Sequence, residues 1–215
     1  MDRRRALRNI GLTTGFVVAS PAFMSLLQSC TTEKASWIPE FFTPEEGTVL
    51  TNIVDIIIPK TDTPSASEVN VPQFIDKYIV EVEFEEDQKR YKRRMQGLVN
   101  QLKAKYSEDV ADITPEQYEE IVAENLKVTG DKRDDLNKRI RVEGNEIDMG
   151  ESEKVEQDNE ALAFGMINDL RWTTINAFKN SQKIGEEVLA YDPVPGMYNG
   201  CVSLEEVTQG RAWSL

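Results

Sequence analysis

The chain has 215 residues, 40% hydrophobic and 29% charged, which fits one globular domain with a real core and excludes a disordered or multi-span class. Asp and Glu outnumber Lys and Arg by 38 to 25, and the net charge of -13 argues against a nucleic-acid backbone as partner, because such binding rests on cationic contacts. With no histidine and two cysteines, histidine bases, histidine-ligated haem, the usual mixed zinc sites, a disulfide scaffold and a four-thiolate cluster are all excluded.

The N-terminus reads as an address. Arg3, Arg4, Arg5 and Arg8 precede a modestly apolar stretch, about Ile10 to Leu27, that Gly11, Gly15, Ser20 and Pro21 interrupt. It is too short and too broken for a membrane span. Arg3 and Arg4, with Leu7 and Arg8 following, look like a twin-arginine export signal, although Ala6 stands where a larger apolar residue is usual. Leu27-Gln28-Ser29-Cys30 resembles a bacterial lipobox. Residues 1–29 therefore read as a twin-arginine-like lipoprotein signal peptide, with diacylation of Cys30 as the anchor to the lipid bilayer. An ordinary export signal and a retained N-terminal helix are the alternatives. The expected location is a bacterial membrane, on the periplasmic side. Cleavage before Cys30 would remove four arginines and Asp2, and would leave Cys201 as the one free thiol.

Residues 30–40 read as a tether and residues 41–215 as a single all-α domain, an irregular bundle of five or six helices. Thr43-Pro44-Glu45-Glu46 has the form of a capping box, and Leu50, Ile53, Val54 and Ile57 follow at helical spacing until Pro59. Lys60 to Val71 has turn chemistry. A helix is expected from Pro72, with Phe74, Ile75, Tyr78, Ile79 and Val82 on it and a break near Glu86. Tyr91, Met95, Leu98, Val99 and Leu102 continue the pattern. Thr114-Pro115-Glu116-Gln117 repeats the capping device ahead of Tyr118, Ile121 and Val122. Residues 131–156 are the least foldable part, read as a charged variable insertion: a loop with a short helix, or a segment ordered by a partner. From about Asp158 to Phe178 a long helix is apolar on more than one face, and Trp172 on it is placed to reach beyond the core. A shorter helix is expected over Ser181 to Leu189, with Gly185 costly inside it.

The last part is a Pro/Gly/Tyr-rich tail: Tyr191, Pro193, Pro195, Gly196, Tyr198, Gly200, Cys201. Together with Ile57-Ile58-Pro59-Lys60-Thr61-Asp62-Thr63-Pro64, Val71-Pro72 and Phe74-Ile75-Asp76, this tail resembles the gluconate 2-dehydrogenase subunit 3 family, its lipoprotein-like members above all. Ser65 departs from the family's usual glycine. The resemblance implies a non-catalytic small subunit that assists export, assembly and membrane tethering of a periplasmic sugar or polyol dehydrogenase. It places FAD in a large partner of the glucose-methanol-choline oxidoreductase class, and haem c in a third, cytochrome subunit of some complexes. It gives Thr61, Asp62, Thr63, Pro64, Gly185, Tyr191, Pro195, Gly196, Tyr198, Gly200 and Cys201 as motif or interface positions.

By their own chemistry, the prolines stiffen the tail and its aromatics supply apolar surface, either for a partner or as a cap on the chain's own bundle. Cys201 reads first as a buried small hydrophobe, with a partner thiol and a redox residue behind it. Asp62 reads as an acceptor of backbone bonds in its turn. No Gly-x-Gly-x-x-Gly follows a strand pattern, so no cofactor is expected in this chain. The acidic pairs Asp76 with Glu81 and Glu119 with Glu120 do not converge on a substrate, so catalysis is not expected. A lipid-anchored envelope binding protein unrelated to oxidoreductases is the alternative function.

Overall fold

Thr43 opens the first helix as its capping box predicts: its Oγ1 accepts from the Glu46 N–H at 3.2 Å and Glu46 Oε2 accepts from the Thr43 N–H at 2.8 Å. This is a computed structural model, and it describes residues 37–148, 158–194, 196 and 200–214. The residues from Ile38 onward form one compact unit. Its α-helices are α1 (Pro44–Ile57), α2 (Val71–Glu81), α3 (Glu85–Lys105), α4 (Pro115–Leu126), α5 (Gly130–Asp148), α6 (Asn159–Lys179) and a short α7 (Leu204–Thr208). Among the described residues there is no sheet, only a single bridge between Ala190 and Trp213.

α4 begins with the second predicted box, Thr114 Oγ1 accepting from the Gln117 N–H and Gln117 Oε1 accepting from the Thr114 N–H. Each such cap is worth about 1 kcal/mol. The break expected near Glu86 falls three residues earlier, at 82–84. Phe84 is the N-cap of α3, so Glu85, Glu86 and Asp87 stand in the first turn, where the helix dipole favours carboxylates. The Gln88 amide donates back to the carbonyls of Val80 and Glu83 and closes the corner.

α6 is the centre of the bundle. Ala161 to Ile167 are all buried, as a helix surrounded by others requires, and α1, α2, α3, α4 and α5 each pack on it. The most extensive packing is with α3, where Gly97 closely faces Leu162. Tyr118 on α4 is fully buried, and its hydroxyl donates to the Val110 carbonyl; burial, with Glu45 nearby, pushes its phenol up to about 12.

Residues 130–148 are a 19-residue helix rather than a charged loop with a short one. Two interactions account for it. Leu136, with Val128 and Ile140, packs on Ala161 and Phe164 of α6. Arg139 pairs bidentately with Asp158, the N-cap of α6, at 2.6 and 2.7 Å, and also reaches Glu160 and Asp135. The rest of the expected insertion, 149–157, lies outside the described residues. The expected helix over Ser181 to Leu189 contracts to a single π-turn, Ile184–Val188, in which a Cβ on Gly185 would meet nothing closer than 3.8 Å.

Hydrogen bonding from Arg139 holds the Asp158 carboxyl below its usual value, burial works against this, and the Ala161 N–H adds to it. A carboxylate depressed by folding contributes stability that is present above the unfolded value, about 3.9, and is lost as pH falls through the folded one. The difference in melting temperature between the wild type and Arg139→Gln is therefore expected to be constant near neutrality and to shrink below about pH 4. Thermal scans of both proteins across that range check this; a difference that persists to pH 2 would assign Arg139 a packing role instead.

Candidate partner-docking surface

The α1–α2 connection carries the first family-like segment. Asp55, an acidic residue within the apolar run of α1, accepts from the Ser67 N–H at 2.8 Å and from the Ser67 hydroxyl at 2.6 Å. Ala66 is buried and its N–H donates to the Ile58 carbonyl, so the loop is fixed at its base. Asn70 takes φ 61°, a left-handed conformation that asparagine tolerates better than most residues, and turns the chain into α2. At the tip, the Thr61 N–H donates to the Thr63 carbonyl at 3.0 Å, and the two threonine hydroxyls lie 3.4 Å apart. Asp62 is exposed and takes none of these bonds, contrary to the expectation; the two threonines close the turn. Pro64 is half-buried, and Ser65, at the position usually held by glycine, is buried with its N–H on Glu68.

Asp76 is the functional-looking residue whose role sequence reasoning missed. It is 1% exposed. Its Oδ2 accepts from the Glu40 N–H at 2.7 Å, and its Oδ1 from the N–H groups of Phe41 and Phe42 at 3.2 and 3.0 Å. The pairing weighed for it, with Glu81, does not form; Glu81 pairs with Lys77. The carboxylate instead fixes the place where the chain enters the domain. An aspartate among the apolar residues of α2 was the available signal.

The tail begins at a second fixed point. The Ala190 N–H donates to the Ala212 carbonyl at 2.8 Å and the Ser214 N–H to the Ala190 carbonyl at 2.9 Å, so the segment 191–212 leaves and returns at one place. Within it Tyr191, Val194, Val202 and Leu204 are more than half exposed and Val207 nearly so, as is Trp213 just past its end. These side chains present apolar surface to solvent. Cys201 is exposed, which corrects its reading as a buried hydrophobe: its side chain stands in solvent. Gly196 and Gly200 are exposed as well, whereas Pro195 and Tyr198 lie outside the described residues, as do Arg3, Arg4 and Cys30. Trp172 on α6 stands out at 64% exposure with Arg171 over its ring, as expected.

Among the described residues, no group of three or more Cys, Asp and Glu is arranged to hold a metal ion, and no helix is long and apolar enough to cross a membrane. Glu120, one of the acidic pair on α4, is engaged by Lys105. A cleft of about 390 Å³ lies where α3, α4, α5 and α6 meet, lined by Gln101, Asn125, Lys132, Leu136 and Glu160 among others.

Residues 44–196 match the family described as gluconate 2-dehydrogenase subunit 3. The chain belongs to the gluconate 2-dehydrogenase subunit 3 family. The match starts at the first residue of α1 and ends inside the tail loop, so this family's region takes in helices α1 to α6, the α1–α2 connection and the start of the tail as far as Gly196. Tyr198, Gly200 and Cys201 lie beyond it. No curated protein and no solved structure matches the chain.

Proposed function

We propose that this member of the gluconate 2-dehydrogenase subunit 3 family is the non-catalytic small subunit of a periplasmic FAD-dependent sugar or polyol dehydrogenase, assisting its export and assembly and tethering it to the membrane through Cys30. The observation that carries the reading is the family match over residues 44–196. The exposed apolar side chains of the 191–212 loop support it. Apolar groups on a loop fixed at its base bury area on a partner with little ordering cost. The FAD belongs to the large partner, of the glucose-methanol-choline class, and haem c to a third subunit where there is one. Arg3 and Arg4 would direct the assembled pair to twin-arginine export, and Thr61 to Pro64 and the tail from Tyr191 would face the partner.

Affinity purification of the full chain from membranes in mild detergent tests this. A large subunit with a flavin absorption spectrum is expected to co-purify, and exchanging Arg3 and Arg4 for lysine is expected to leave both proteins in the cytoplasm. A chain that purifies alone, while the oxidoreductase is exported and active without it, would leave the lipid-anchored binding protein as the better reading.

A further inference from the structure

One flank of α2 is apolar, beside an outermost strip that carries the exposed, ion-paired Lys77 and Glu81. Phe74 and Tyr78, one turn apart, stack with ring centroids 5.8 Å apart, and Val82 continues their line one turn further. Phe74 and Val82 are more than half exposed, and Phe84 at the α2–α3 corner is 81% exposed. The adjoining buried side of the same helix carries Ile75, Asp76 and Ile79. Since Asp76 holds residues 40–42, the chain enters the domain at this helix, with Ile38 exposed beside the entry. Six residues, 31–36, separate Cys30 from Trp37. Even fully extended, that stretch spans only about 25 Å.

We infer that the Phe74–Tyr78–Val82 face and Phe84 rest in the interfacial region of the bilayer that holds the acylated Cys30. The inference rests on the lipid reading of Cys30 given above. A tether this short keeps the α2 end of the domain beside the membrane, and apolar side chains held at that distance lower their free energy by entering the headgroup layer. Glu83, Glu85 and Glu86 flank Phe84. These carboxylates would be repelled by anionic headgroups, so the contact is apolar, made with zwitterionic lipid and insensitive to salt. It turns the domain one way up, with α2 toward the lipid.

The full chain carrying Phe84→Trp, purified from membranes and reconstituted in phosphatidylcholine vesicles, reports on this directly. Subtracting the wild-type emission isolates the added indole. Lipid bearing a nitroxide near the headgroup is expected to quench that emission about twofold or more, equally at about 0.1 M and 1 M salt, while an indole introduced by Leu204→Trp on the tail loop is left unquenched. Intact mass and vesicle flotation give the state of Cys30 independently. An acylated, floating protein whose indole at position 84 is not quenched overturns the inference and leaves the anchor standing. A protein that is neither acylated nor vesicle-bound overturns both. Shielding of that indole only in complex with a co-purified oxidoreductase assigns the face to the partner, and also overturns it.

Discussion

Asp76→Ala is expected to lower the unfolding free energy by about 3 kcal/mol or more, although the residue belongs to no catalytic set. One carboxylate satisfies three backbone donors, those of Glu40, Phe41 and Phe42, and the Phe42 bond is fully buried. An orphaned buried donor costs about 1–3 kcal/mol, and water recovers part of this at the two partly exposed bonds. Loss of the clamp also frees the segment that carries Phe42, 3% exposed, into the core ahead of the Thr43 cap. Asp76→Asn keeps an acceptor for Phe41 and Phe42 but turns an amide toward the Glu40 N–H, so an intermediate loss is expected. Denaturant unfolding of the three proteins decides it. An alanine variant within about 0.5 kcal/mol of wild type would show that the clamp adds nothing to stability.

Gly97→Ala is expected to destabilise by about 2 kcal/mol, against the usual direction of a glycine-to-alanine change inside a helix. Alanine gains about 1 kcal/mol there from backbone entropy. Here its Cβ would stand 2.4 Å from Leu162 Cβ, on the face along which α3 packs against α6. Neither backbone can yield without opening the most extensive helix contact of the bundle, so the overlap outweighs the propensity gain. Gly165 on α6 provides the comparison. Its added Cβ would meet Arg94 Nε at 3.1 Å and Ile140 Cδ1 at 3.2 Å, so each neighbour must give by only a few tenths of an ångström, Arg94 while paired with Asp169. Gly165→Ala is therefore expected to cost less than Gly97→Ala. Equal melting temperatures for wild type and Gly97→Ala would mean that α3 and α6 are less closely apposed than the structure has them.

The helical class and most helix starts were legible because their determinants are local. A Thr-Pro-Glu-Glu or Thr-Pro-Glu-Gln start satisfies its own first-turn donors within four residues, and the spacing of Ile53, Val54, Ile121 and Val122 marks the buried faces. The family was legible in the two proline-rich segments at either end of the body. The charged 130–148 segment was misjudged because its stability is not local: Leu136 is buried only once α6 stands beside it, and Arg139 needs Asp158, 19 residues away. The role of Asp62 was misassigned and that of Asp76 missed for a related reason. Both are acidic residues in the family-like opening, and only the folded chain brings three N–H groups from 34 to 36 residues upstream to Asp76 while the threonines close the turn at Asp62.

By itself, then, the order of residues determined an acidic, histidine-free, all-helical chain of a recognisable family, with its caps and turns in place. Tertiary structure alone decided that α6 is the axis, that the chain enters against α2, and that the tail leaves and returns at Ala190 with Tyr191, Val194, Val202 and Leu204 exposed. Capping and periodicity act within a turn or two of chain. Burial, close helix approach and long-range hydrogen bonds take their partners from parts of the sequence that become neighbours only on folding.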